Sequence, residues 1–326
     1  MKKVLVNKPI HSVALDRLGE DVEVLTPFSA PREELLELLP SVHGLILCAG
    51  LRMGPVEMDL AGNLEVIARH GVGVDNVDIE AATERGLPVT YTPDGPTEST
   101  AEHAFTLMLA AARRLTQLDD AVRAGHFGVR DYVRGQEMAG KALGVIGFGR
   151  IGRRMAEMCR DALQMTVYVY DPYVDSEETS RWGATWVADV VDMARAVDVL
   201  SIHTPLTDST KHLVGQEVIR ALKPGSILIN TARGAVVDER ATIAALQDGH
   251  LGAAGLDVFD PQPPTADNPL LAMDQVVLTP HVGSATDEGR QRMGLIAVED
   301  TLRALRGERP LNLVNPQTWR GRQSAA

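Results

Sequence analysis

The chain is short of cysteine, of aromatic side chains and of positive charge, and each shortage closes off a class of function. Two cysteines in 326 residues, Cys48 and Cys159, cannot build a disulfide framework or a multi-cysteine zinc site. No metal is therefore expected, and a reducing cytoplasm is the expected compartment. Aromatic residues make up 4%, too few for a base-stacking platform. Lys plus Arg number 32 against 44 Asp plus Glu, a formal charge of −12 that repels nucleic acid and anionic lipid. Arg113-Arg114 and Arg153-Arg154 are pairs, not a basic tract. No apolar run approaches the ~18 residues that span a bilayer. Val4-Leu5-Val6, between Lys3 and Lys8, is too short for a secretory signal. Neither nucleic acid nor membrane is an expected partner.

What is present is globular: 44% apolar and 23% charged residues. The length suits about two domains of roughly 150 residues each. Val4 to Val6, Val22 to Leu25, Leu45 to Cys48, Leu64 to Ala68 and Pro88 to Thr90 read as short strands. Pro31-Arg32-Glu33-Glu34 opens a helix, with acids at its positive end. Ile79 to Arg85 is another, stopped by Gly86. Strands alternating with helices predict a parallel sheet. One long helix is expected from about Thr97 to Arg123, ending at Gly125 and carrying the chain into a second domain.

From Ala142 the alternation is regular. Strands are predicted at Ala142 to Ile146, Thr166 to Tyr170, Asp198 to Ile202, Ser226 to Asn230, Gly252 to Leu256 and Val276 to Leu278, with helices between. This is a doubly wound sheet. A last helix, Thr286 to Arg306, and a strand-like run, Leu311 to Val314, return to the first domain. The expected division is 1–98 with 288–326, and 99–287. The polar tail Gln317 to Ala326 is expected to fray.

The strongest motif is Gly147-Phe148-Gly149-Arg150-Ile151-Gly152, a G-x-G-x-x-G that follows an apolar strand and opens a helix. Its first glycine makes the turn, its second admits a pyrophosphate to the backbone, and its third packs helix on strand. The diphosphate belongs at the helix N-terminus. Asp171 ends the next strand, where an acid accepts from the adenosine ribose hydroxyls and repels a 2′-phosphate, so NAD is expected over NADP. Gly71-Val72-Gly73-Val74-Asp75-Asn76 is either a plain turn or a small anion nest. Arg233, just past the strand Ser226 to Asn230, is either a bidentate carboxylate grip or a surface ion pair. His281, also past a strand end, is either an acid–base group or a structural histidine. Asp171, Arg233, Asp257 and His281 all fall beyond strand ends of one sheet, where open α/β folds bind ligands.

Several separated matches together resemble the D-isomer-specific 2-hydroxyacid dehydrogenase family, nearest its D-3-phosphoglycerate dehydrogenase-like branch without the regulatory domain. They are Gly71 to Asn76, Ser99-Thr100-Ala101-Glu102-His103, the Gly147 loop, His203-Thr204-Pro205-Leu206, Leu222-Lys223-Pro224-Gly225, Thr231-Ala232-Arg233-Gly234, Gly255 to Phe259 and Thr279-Pro280-His281. The resemblance implies a Rossmann nucleotide domain and a smaller flavodoxin-like α/β substrate domain. It implies that hydride passes between NAD(H) and a 2-keto acid or its D-2-hydroxy acid. Arg233 and the N–H groups of Val72, Gly73 and Val74 would hold the carboxylate, and His281 would be the acid/base. Thr204, Pro205, Thr231, Ala232, Asp257 and Gly283 match cofactor-lining positions, beside Gly147, Gly149, Arg150, Ile151, Gly152 and Asp171. A homodimer through the nucleotide domain, including the long helix after Thr97, is implied.

Three departures from the family pattern stand out. The glutamate expected to pair with the catalytic histidine is Gln262, followed by Pro263. An amide cannot favour the imidazolium as a carboxylate does. A loss of about one pKa unit, ~1.4 kcal/mol, slows reduction roughly tenfold near neutral pH and favours oxidation. Asp260 is an alternative partner. Pro96 stands where many relatives carry asparagine, and Cys48 where phosphoglycerate dehydrogenases tend to place a phosphate-binding arginine. Arg52 and Arg69 remain nearby, so both phosphorylated and uncharged substrates such as glyoxylate or hydroxypyruvate stay open. The alternatives are a formate-type dehydrogenase using the Gln262/His281 pair and a catalytically weak NAD-binding protein.

Overall fold

Apolar runs without polar alternation form strands buried on both faces, as parallel sheets require. In the computed structural model, which describes residues 1–319, Gly44–Leu47, Val199–Ile202 and Ser226–Asn230 are buried at every position. The chain divides into two units, Met1–Thr97 with Ser284–Ala326, and Glu98–Gly283. The second crossing comes earlier than the expected residue 287. Thr286 already caps the final helix, its Oγ1 accepting from Gly289 N at 2.9 Å, so the preceding turn belongs with that helix.

The elements up to the first crossing are β1 (Lys3–Val6), α1 (Ser12–Gly19), β2 (Glu23–Leu25), α2 (Arg32–Leu38), β3 (Gly44–Leu47), α3 (Pro55–Leu60), β4 (Val66–Arg69), α4 (Ile79–Glu84) and β5 (Val89–Thr90). The sheet is parallel with order β2-β1-β3-β4-β5, the flavodoxin-like winding. Alternate residues face opposite layers. Val4, Val6, Ile46, Val66 and Ala68 pack with Ala14, Leu18 and the final helix, while Leu5, Leu45, Leu47 and Ile67 pack with Leu39, Met58 and Ala82. Each such buried aliphatic side chain stabilises by about 1.5–3 kcal/mol.

Next come α5 (Thr97–Ala112), α6 (Leu115–Arg123), β6 (Ala142–Ile146), α7 (Arg150–Leu163), β7 (Thr166–Tyr170), α8 (Ser176–Arg181), β8 (Thr185–Trp186), α9 (Val190–Ala196), β9 (Val199–Ile202), α10 (Gln216–Ala221), β10 (Ser226–Asn230), α11 (Glu239–Gln247), β11 (Leu251–Leu256) and β12 (Val276–Leu278). The parallel sheet runs β12-β11-β10-β9-β6-β7-β8, a doubly wound Rossmann order with its switch point between β6 and β9. Leu143, Val145, Val199, Ile227 and Ile229 pack with Leu107, Met108 and Met155 on one face. Ile146, Leu200, Ile202 and Leu228 pack with Met193, Ile219 and Leu246 on the other.

The single long helix expected over Thr97 to Arg123 is two helices. Arg114 adopts a left-handed φ of 55°, and its guanidinium donates to Gly252 O at 2.9 Å. Beyond it α6 buries no residue fully, so no buried anchor holds the second helix in line with the first.

The final helix, α12 (Asp287–Leu305), packs on α1 and β4 within its own unit, and Leu313 then bridges antiparallel to Thr90. Asp300, buried, accepts from Leu311 N at 2.6 Å and Asn312 Nδ2 at 2.9 Å, anchoring that return. The fraying expected of the tail fails at its start. Thr318 and Trp319 are buried, the indole joining the core around Val4 and Leu302; residues 320–326 lie outside the described residues.

Candidate active site

The cofactor loop follows β6 at the switch point. Gly147 has φ +89°, and a Cβ there would lie 2.9 Å from His203 C and Thr204 N. A Cβ on Gly152 would meet Gly147 O at 2.0 Å, so helix and turn close only without side chains. Gly149, by contrast, has nothing within 4 Å of its Cβ position, and it caps the first turn of α7, whose N–H groups lack intrahelical partners. That open cradle at a helix N-terminus fits a diphosphate.

Asp171 sits at the end of β7. Its Oδ2 accepts from Phe148 N at 2.7 Å and its Oδ1 from Tyr173 N at 2.8 Å. The acid expected to face the ribose therefore also holds the glycine turn. Arg153, absent from the expected site residues, holds the carbonyl side of the same residue. Its Nε donates to Phe148 O at 2.7 Å, and its guanidinium lies over the Phe148 and Trp182 rings at 5.2 and 5.5 Å. An arginine four residues after the second motif glycine was a legible signal only in hindsight of this geometry.

Across the switch point, the loop of Thr204 and Pro205 follows β9. His203 is held by Ser201 Oγ at 2.8 Å, and burial pushes its imidazole down to about 4. After β10, buried Asn230 shapes the next turn: its Oδ1 accepts from Ala232 N at 3.0 Å and its Nδ2 donates to Arg233 O at 2.9 Å. Thr231 is buried with its hydroxyl unpartnered among the described residues, a polar atom awaiting a ligand. The open cradle, the ribose-side acid and this hydroxyl fit NAD. Arg233 is half-buried in extended conformation, one guanidinium nitrogen donating to Ala232 O at 2.7 Å. A Cβ on Gly234 would lie 2.1 Å from Phe259 C, so the Arg233 turn rests directly on the backbone after β11.

Asp257 is 1% exposed. Its Oδ1 accepts from Thr279 Oγ1 at 2.6 Å and Val282 N at 2.9 Å, and its Oδ2 from Gly283 N at 2.8 Å. Burial alone would raise this carboxyl. The neighbouring His103 and the hydrogen bonds from Thr279, Val282 and Gly283 outweigh it and hold the group below the usual aspartate value. Those bonds brace a turn in which His281 takes a left-handed φ of 56°. The exposed imidazole meets Gln262, whose Nε2 lies 2.8 Å from His281 Nδ1. Asp260, the alternative partner, instead receives a backbone anchor: its N donates to Glu239 Oε2 at 3.3 Å. A cavity of about 450 Å³ opens beside the pair, lined by Phe259, Pro263, Pro264, Leu278 and Pro280.

The Gly71 turn lies in the other unit. Arg69 Nε donates to Gly73 O at 2.9 Å and another nitrogen to Leu47 O at 3.2 Å, with a third contact to His70 O. Asn76 Nδ2 donates to Leu51 O at 3.0 Å. The carbonyls are thus drawn toward Arg69. Among the described residues, the N–H groups of Val72, Gly73 and Val74 donate to no hydrogen bond. These are N–H groups of the kind an anion nest uses. Cys48 is buried, and burial pushes its thiol up to about 11. Arg52 is exposed.

Among the described residues no helix is long and apolar enough to cross a membrane. The family model described as "D-isomer specific 2-hydroxyacid dehydrogenase, NAD binding domain" matches residues 105–283. A D-3-phosphoglycerate dehydrogenase of Methanocaldococcus jannaschii is 41% identical over 97% of this chain, which spans only 60% of that relative's length. A glyoxylate reductase of Aeropyrum pernix is 39% identical over 98% of both chains. The crystal structure of a Thermus thermophilus protein superposes with TM-score 0.87 at 40% identity, covering 96% of this chain and 99% of that one. This chain belongs to the D-isomer specific 2-hydroxyacid dehydrogenase family.

Proposed function

We propose that the protein is an NAD-dependent D-2-hydroxyacid dehydrogenase acting on a small, unphosphorylated 2-keto acid such as glyoxylate or hydroxypyruvate. The carrying observation is the Gln262–His281 contact at 2.8 Å on a turn braced by Asp257, which presents an imidazole for proton transfer beside a dinucleotide cradle. NADH supplies the hydride when bound. Gly147, Gly149, Arg150, Ile151, Gly152, Asp171, Thr204, Pro205, Thr231, Ala232, Asp257 and Gly283 would hold it. Arg233 binds the substrate carboxylate in a bidentate grip and polarises the carbonyl; the N–H groups of Val72, Gly73 and Val74, in the other unit, are kept as carboxylate donors. His281 gives its proton to the new hydroxyl oxygen and takes it back in the oxidative direction.

Arg69 argues against a phosphorylated substrate. Its guanidinium donates to the carbonyls of Leu47 and Gly73, and the position expected to carry a phosphate-binding arginine holds the buried Cys48. The likeness to the Aeropyrum pernix glyoxylate reductase, 39% identical over 98% of both chains, favours the same substrates. We also propose a cytoplasmic homodimer through the nucleotide unit. Leu115 and Val122 of α6, with Phe127 and Tyr132 after it, are 58, 55, 63 and 72% exposed, an apolar arm suited to a second copy.

The test is NADH oxidation by the purified protein with glyoxylate, hydroxypyruvate, pyruvate and 3-phosphohydroxypyruvate. Turnover with the first two and little with the phosphorylated acid is expected. Turnover confined to the phosphorylated acid overturns the substrate reading. No keto-acid turnover with NADH binding intact, together with formate oxidation, overturns the reaction class.

A further inference from the structure

The segment Ser99 to His103 opens α5, and the roles above leave His103 without one. Its Nε2 lies 2.9 Å from Thr279 Oγ1 and 3.4 Å from Asp257 Oδ1. Thr279 has a single hydroxyl proton, and it goes to Asp257 Oδ1 at 2.6 Å. Toward His103 the hydroxyl can then only accept, so the ring carries its proton on Nε2 and donates. The chain of donors runs His103 to Thr279 to Asp257. Asp257 in turn fixes the N–H groups of Val282 and Gly283, the two residues that follow His281. The close packing agrees: a Cβ on Gly283 would lie 3.1 Å from Asp257 Oδ2, 3.4 Å from Thr100 Cγ2 and 3.7 Å from His103 Cδ2. A left-handed φ at a histidine persists only where its surroundings hold it.

We propose that His103 is a positioning residue for the reaction: through Thr279 it fixes the Asp257 carboxylate, and through that carboxylate the left-handed turn that aims the His281 imidazole. The effect on rate rests on His281 being the acid/base. The effect on the turn does not.

The experiment uses the full-length protein as parent, His103→Ala, His103→Gln, Thr279→Val and the double variant. The first readout needs no substrate: NMR titration of the His281 ring protons from pH 5 to 9. Displaced His281 signals and a moved midpoint are expected in His103→Ala and Thr279→Val. His103→Gln, which keeps an N–H near the Nε2 position, is expected to restore the parent curve. The double variant should be no worse than the poorer single, the mark of one pathway. The second readout is glyoxylate reduction, where kcat should fall about tenfold in His103→Ala with KM within twofold, the loss expected from one hydrogen bond on a charged group.

An unchanged His281 titration in folded His103→Ala and Thr279→Val overturns the proposal, as does full additivity in the double variant. Should His103→Ala not fold, Thr279→Val and His103→Gln carry the same comparison. Displaced His281 signals with no turnover even in the parent support the positioning role and overturn the dehydrogenase reading instead.

Discussion

Gln262 Nε2 stands 2.8 Å from His281 Nδ1, so an amide meets this nitrogen where the family pattern leads one to expect a carboxylate. With the amide N–H donating, Nδ1 is an acceptor and the ring proton sits on Nε2. Protonating Nδ1 requires the amide to turn and offer its oxygen. A glutamate would accept from the imidazolium without turning and would stabilise it by charge.

Gln262→Glu should therefore move the alkaline limb of keto-acid reduction up by about one pH unit, with rates about fivefold above the parent one unit beyond the parent's limb. The pH dependence of kcat measures this. Superimposable profiles would show that the partner of Nδ1 does not set the proton supply.

Arg233→Lys keeps the charge and loses the planar fork. We expect kcat/KM to fall about a hundredfold, ~2.7 kcal/mol, with NADH affinity unchanged. Steady-state kinetics with glyoxylate and a fluorescence titration with NADH separate the two quantities. A loss under threefold would place the carboxylate grip elsewhere.

Asp171 serves the ribose position and the Phe148 and Tyr173 N–H groups together. Asp171→Ala should weaken NADH binding by about tenfold or more while narrowing the gap to NADPH, since the repelling charge is gone. Asp171→Asn keeps acceptor oxygen for the turn and removes the charge. It should recover part of the NADH affinity and keep the relaxed preference, as read by fluorescence titration with both cofactors.

Burial pushes the rings of His70 and His203 down to about 4 from an ordinary value of 6.5; for His70 the nearby Arg69 charge adds to burial. In that window the unfolded chain binds more protons than the folded one. Their contribution to stability is complete above about pH 6.5, is lost as the pH falls toward 4, and levels off below it. At pH 5.5 each costs roughly 1 kcal/mol. Urea midpoints between pH 7.5 and 5 should show the decline, and His203→Asn should remove about half of the two rings' share. An unaltered slope in that variant would trace the decline to carboxylates instead.

Much of this was legible because parallel sheets write themselves as short apolar runs. The strands over Ala142 to Ile146, Thr166 to Tyr170 and Ser226 to Asn230 stand where their β-branched and aliphatic residues put them. The G-x-G-x-x-G turn was legible for the same reason: its glycines answer local steric demands. What escaped were features whose cause lies far along the chain. The break at Arg114 depends on a carbonyl at Gly252, and the burial of Trp319 on a core built from Val4 to Leu302. His103 gains a role only when Thr279 is folded against it. The two-residue strand β8 is too short to carry a periodic signal.

The contact of Gly234 with Phe259 has a consequence for how this protein can vary. The turn bearing Arg233 and the segment leading to Gln262 meet main chain to main chain, with a built Cβ only 2.1 Å from Phe259 C. No side chain serves as a spacer at that junction. A single added methyl at Gly234 would disturb both loops at once, so the spacing between the two chemical segments is set at one position by the lack of a side chain.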